Sequence, residues 1–96
     1  MAKYILLVNW TDQGVHNVKD SPKRLDAARK LAETAGARMG DFYMTMGGYD
    51  MVTHLEAPDD ATVAKFVLKL ASGGNVRTQT LKAFTEDEYR KILAGV

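Results

Sequence analysis

The sequence predicts an α+β fold of β-α-β-β-α-β order, and three observations predict it. The chain opens on a run of β-branched, aromatic and long apolar residues at positions 3–10. Two segments with apolar residues at helical spacing follow, and between them lie two strand-like stretches joined at Gly47-Gly48. A further strand-like stretch comes after the second helical segment, so the element types alternate in the order stated.

Residues 3–10 are apolar on both parities, with Ile5 and Leu7 on one side and Tyr4, Leu6, Val8 and Trp10 on the other. A strand covered on both faces reads this way. Residues 11–20 are polar, contain Gly14 and read as a loop, after which Ser21-Pro22 gives a helix cap followed by proline in the first helical position. The first helix runs to about Ala35, with Leu25, Ala28, Leu31, Ala32 and Ala35 on one face, and Gly36 closes it.

Residues 38–46 and 49–56 form the next two strands, paired antiparallel because the glycine pair between them supplies the backbone angles of a tight hairpin. Pro58-Asp59-Asp60 opens the second helix with two acidic groups at the positive end of its dipole. Val63, Phe66, Val67 and Leu70 make its buried stripe, and Gly73-Gly74 ends it. The last strand spans about 75–84. Thr85 and Glu88, three apart, form a capping box that starts a short C-terminal helix to about Leu93.

At 96 residues the chain has room for one domain over positions 1–96 and one modest core. Thirteen Lys and Arg against 12 Asp and Glu give no electrostatic pull toward nucleic acid or an anionic membrane. The absence of cysteine excludes disulfides and thiolate chemistry and suits a cytoplasmic setting. The opening apolar run is too short to span a bilayer.

Two helices on one side of a four-stranded antiparallel sheet, the ferredoxin-like plan, leave the other side open. Since residues 3–10 carry large apolar groups on both parities, that side is an apolar patch. Covering it favours self-association, with a closed homodimer the commonest solution; the alternative is that loops and the C-terminal helix fold over it in a monomer.

With an even hairpin loop, Phe42, Met44, Met46, Tyr49, Met51, Thr53 and Leu55 share one side, under the helices. Asp41, Tyr43, Thr45, Asp50, Val52, His54 and Glu56 share the other. A carboxylate, a phenol and an imidazole grouped there orient a ligand or move a proton. His54 and Asp50 are the candidate bases. Tyr43 and Tyr49 are candidate ligand contacts, with Trp10 and His16 at the mouth of the pocket. Asp50 is also a natural partner for turn amides, and Tyr49 a ring packed at the sheet edge. Two histidines without cysteine or close spacing predict no metal site, and no glycine pattern here cradles a phosphate.

The hairpin sequence Gly47-Gly48-Tyr49-Asp50 resembles the GYD domain family, as do Ser21-Pro22-x-Arg24, Tyr43-x-Thr45-x-Gly47, Glu56-Ala57-Pro58-Asp59-Asp60 and Gly74-Asn75-Val76-Arg77-Thr78. The resemblance implies a small bacterial-type domain of the dimeric α+β barrel superfamily, in which sheets of two subunits pack face to face around a cavity. No cofactor is implied. The expectation is an oligomeric module that binds a small molecule between its sheets. The rivals are a cofactor-independent oxygenase, isomerase or lyase with His54 or Asp50 as base, and a structural assembly subunit.

Overall fold

A computed structural model describes all residues 1–96. Its elements are β1 (Ala2–Trp10), α1 (Asp12–His16), a 3₁₀ turn (Val18–Asp20), α2 (Ser21–Thr34), β2 (Arg38–Met44), β3 (Met51–Ala57), α3 (Asp60–Ser72), β4 (Val76–Ala83) and α4 (Glu86–Ala94). The four strands form one antiparallel sheet of order β2-β3-β1-β4. This is the ferredoxin-like topology, with β1 in the interior as its apolar sequence requires.

Alternation along the strands divides the sheet. Tyr4, Leu6 and Val8 of β1 and Met51, Thr53, Leu55 and Ala57 of β3 are buried beneath the helices, where Ala32 of α2 and Val63 and Phe66 of α3 meet them. Only 12 of the 96 residues are buried, which is a small core for a chain of this length. Thr53 is the one polar side chain among them, and its hydroxyl donates to the Asp41 carbonyl at 2.9 Å.

Several ends are set by their caps. Asp59 accepts from the Thr62 amide at 2.8 Å and starts α3, while Thr85 and Glu88 form the reciprocal capping box of α4. Gly36 and Gly74, at φ of 86° and 82°, turn the chain away from α2 and α3 in the left-handed region that glycine tolerates. Ser21 departs from expectation. It is the first residue of α2 with no capping bond, and its hydroxyl accepts from the Trp10 indole N–H at 3.3 Å.

The segment expected as a plain loop after β1 folds as α1 and the 3₁₀ turn. Thr11 caps α1 by accepting from the Gly14 amide at 3.1 Å, and its hydroxyl donates to the Gly74 carbonyl at 2.5 Å. The Thr11 amide reaches the Asn75 carbonyl at 3.0 Å. Gly14 is therefore pressed onto the α3–β4 connection, and a Cβ there would lie 2.0 Å from the Asn75 carbonyl oxygen. Gly48, in the β2–β3 connection, has nothing within 4 Å of its Cβ position.

Gly14→Ala is accordingly expected to lower stability by about 1–3 kcal/mol, the range for forcing atoms into a packed site, whereas Gly48→Ala stays within about 0.5 kcal/mol. Urea unfolding midpoints check both. Equal midpoints for the two variants would mean that the α1 contact is not rigid.

Candidate functional site

The sheet face away from the helices is built in rows that the strand pairing fixes. At one end Arg38, Glu56, Lys3 and Ala83 lie side by side across β2, β3, β1 and β4. In the next row His54 stands beside Ile5 and Leu81, and in the third Tyr43, Val52, Leu7 and Gln79 align. Asn9 and Arg77 begin the fourth. The centre of the face is thus apolar, made by Ile5, Leu7, Val52 and Leu81, with charged and polar groups at both ends. No helix covers it.

Around His54 the face is hollowed into an open trough of about 370 Å³, lined among others by Lys3, Arg38, Asp41, His54 and Glu56, with Phe84 and Thr85 at its rim. An irregularity in β2 between Met39 and Phe42 shapes it. Met39 pairs with Leu55 and Phe42 with Thr53, so both point toward the helices while Gly40 and Asp41 together stand opposite the single residue His54, a bulge of one extra residue. A Cβ on Gly40 would meet the His54 Cβ at 3.3 Å. Glycine at this point therefore lets β2 lie close against the imidazole-bearing strand.

Lys3 is ion-paired with Glu56 across the β1–β3 ladder. The ammonium's hydrogen bond, with smaller contributions from the charges of Lys3 and Arg38, holds the Glu56 carboxyl below the usual glutamate range. Glu56 is thus an anion fixed at the end of the trough.

The other expected residues divide between this face and elsewhere. Tyr43 lies on the face and is exposed, one row from His54. Parity along the strand assigns Tyr49 to the side under the helices, but its hydroxyl donates to Gln79 on the open side. Parity fails there because the ladder ends at the Met44–Met51 pair and the six residues between are no longer strand. Met46, expected beneath the helices, is solvent-exposed for the same reason.

Asp50 serves the backbone. Its carboxylate accepts from the Trp10 amide at 3.0 Å, and its own amide donates to the Val8 carbonyl and the Asn9 side chain, both at 3.0 Å. The side chain thereby continues the β1–β3 ladder past its last pair.

Trp10 belongs to the opposite side of the sheet, against the core and α2, while His16 is exposed at the end of α1. Neither joins Tyr43 and His54. No three His, Asp or Glu side chains converge as a metal-holding group.

A second polar cluster, which sequence reasoning misses, lies at the helix side. The buried Tyr4 donates its hydroxyl to Asp60, and Lys82 reaches Asp60 at 3.3 Å with its ammonium 4.8 Å from the centre of the Tyr4 ring. The Tyr4 hydrogen bond, then Lys82, lowers the Asp60 pKa. The bond to Asp60, followed by burial, raises that of Tyr4. The cluster ties β1, β4 and the start of α3 together. Tyr4 and Lys82 are direct partners across the β1–β4 ladder, a register that no local pattern announces.

With this geometry in view, comparison with known proteins is decisive on one point: residues 4–93 match the GYD domain. The chain belongs to the GYD domain family. A relative from Thermus thermophilus, named glutamine synthetase and cystathionine beta-lyase binding protein, is 39% identical over 84 residues, covering 86% of this chain and 88% of the relative. Among solved structures, a feast or famine regulatory protein from M. tuberculosis complexed with L-methionine superposes with a TM-score of 0.67 at 14% identity. A leucine response regulatory protein from Mycobacterium tuberculosis gives 0.65 at 15%. Each likeness covers 88% of this GYD chain but only 51% of the longer regulator, and at such identities it establishes the shared fold.

Both Glu56 and Asp60 have folded pKa values beneath their ordinary ones. Each therefore adds stability that is complete above pH about 4.3 and is lost as pH falls through the depressed folded value. Denaturation midpoints between pH 7 and pH 3 are expected to fall less steeply in Lys3→Met than in the wild type. An unchanged slope would remove the Lys3–Glu56 pair from the acid response.

Proposed function

We propose that this GYD chain is a self-associating binding module, two copies of which pair through their open sheet faces and hold a small polar molecule between them. The observation that carries the reading is the apolar strip Ile5, Leu7, Val52 and Leu81, uncovered in the middle of the sheet and bracketed by polar rows. An apolar centre within a polar rim is how protein interfaces are built, and a two-fold axis lets one such surface meet itself. Removing these four side chains from water favours association by several kcal/mol.

The trough at the strip's end supports the ligand part of the reading. Lys3 and Arg38 offer positive charge, Glu56 and Asp41 negative charge, and His54 an imidazole with one hydrogen-bond donor and one acceptor nitrogen in its neutral form. A small molecule bearing both an acidic and a basic group suits this lining. A facing copy would exclude water from the trough and strengthen each of those contacts.

A second reading rests on the Thermus relative, whose name states that it binds two enzymes, glutamine synthetase and cystathionine beta-lyase. At 39% identity across most of both chains, the same role here is a cytoplasmic regulatory one, in which the paired domain docks on a metabolic enzyme. The two readings are compatible, since the helices remain on the outside of a sheet-to-sheet pair. Proton-transfer chemistry has less support, because the Asp50 carboxylate is engaged with the Trp10 amide and His54 alone remains as base.

Sedimentation equilibrium is expected to give a dimer or a multiple of it for the wild type and a monomer for Leu7→Lys, with the circular dichroism of both alike because Leu7 lies outside the helix-side core. A wild type that stays monomeric at high micromolar concentration would sink the proposal. In a thermal-shift panel of amino acids and related zwitterions, a stabilising compound is expected to lose its effect in His54→Ala.

A further inference from the structure

The helix side of the sheet holds a second hollow. α2 and α3 make little contact with each other, and the space between them and the sheet is a cavity of about 260 Å³. Leu6, Val8 and Met51 floor it, and Leu25, Leu31 and Leu70 wall it. Trp10, Phe42 and Val76 remain only partly buried around it although they pack against the core. A space of this kind lacks partner atoms on one side, so an apolar guest gains contacts that the protein itself leaves unmade.

Its charge is one-sided. Of the 18 residues lining the cavity none is Asp or Glu, and the only charged ones are Arg24 and Lys69. Arg24 is held in place, donating to the Asn17 carbonyl at 3.0 Å and the Gly14 carbonyl at 3.3 Å. Lys69, near the end of α3, takes part in none of the chain's three ion pairs. An apolar hollow whose charges are all positive selects a guest with an apolar body and an anionic end. The volume lies just below the usual range of about 300–1,000 Å³ for small-molecule sites, which suits a short chain or a single ring and not a long-chain lipid.

We propose that this cleft binds a short-chain or single-ring organic carboxylate, with its apolar body against Trp10, Leu31 and Leu70 and its carboxylate on Lys69 and Arg24. The site lies on the other face of the sheet from the trough around His54, so it stands or falls independently of the module described above.

Trp10 is the only tryptophan and lines the cavity, so its emission reports occupancy directly. Titration of the full chain with octanoate is expected to change that emission saturably, and octan-1-ol is expected to bind about tenfold more weakly for want of the charge. Lys69→Gln should weaken octanoate by a similar factor, about tenfold. Ala28→Leu, which fills the cavity, should abolish the saturable change, with its melting curve recorded alongside. His54→Ala should leave octanoate binding intact, which separates this site from the one between sheets. A response that never saturates, equal affinity for acid and alcohol, or undiminished binding in Lys69→Gln would each overturn the proposal; the last two hold whether or not Ala28→Leu folds.

Discussion

The structure depends on a central strand that is apolar on both sides. β1 sends Tyr4, Leu6 and Val8 into the helix-covered core and Ile5 and Leu7 out of the other face. The chain supplies two long helices for one side and nothing comparable for the other. A core of so few buried residues has little stability in reserve, so covering the second face changes the balance by a large fraction of the total. Any cover over that face would be energetically linked to folding, because the same strand provides both the interior of the fold and the middle of its exposed face.

The end of the sheet near the β2–β3 connection is ordered by hydrogen bonds and close approach instead of apolar burial. Asp50 extends the ladder by offering its carboxylate to Trp10, and Gly14 lets α1 lie directly on the Asn75 carbonyl. Arg24 then ties α2 to the carbonyls of Gly14 and Asn17. Of these, Asp50 reads as a candidate base in the sequence, yet its carboxylate is committed to holding the Trp10 amide. The opposite end differs. There the bulge at Gly40-Asp41 opens the surface, and His54 and Arg38 face a trough instead of a neighbouring strand.

Element order, the β2–β3 pair and both long helices were legible in the sequence because each rests on a local signal: the glycine pair between β2 and β3, alternation in β3, the i, i+3, i+4 stripe of α3, and the Thr85–Glu88 box. What was not legible depends on contacts between distant segments. α1 was hidden because Gly14 reads as a helix breaker, and its reason for being glycine lies sixty residues away at Asn75. The sides of Phe42, Tyr43 and His54 followed from parity, whereas Met39 required the bulge and Tyr49 required knowing where the ladder stops. Trp10 could not be placed by an argument in which both parities of β1 were apolar; pairing of its amide and indole with Asp50 and Ser21 decides its orientation.

The two hollows of the molecule are therefore chemically unlike because the sheet between them is asymmetric. The trough on the open face is lined by both signs of charge and an imidazole, and a facing copy would turn it into an enclosed polar space. The cleft under the helices is apolar, and its charges are of one sign. They share β1 as a common wall: Leu6 and Val8 floor the cleft, while Lys3 and Ile5 line the trough.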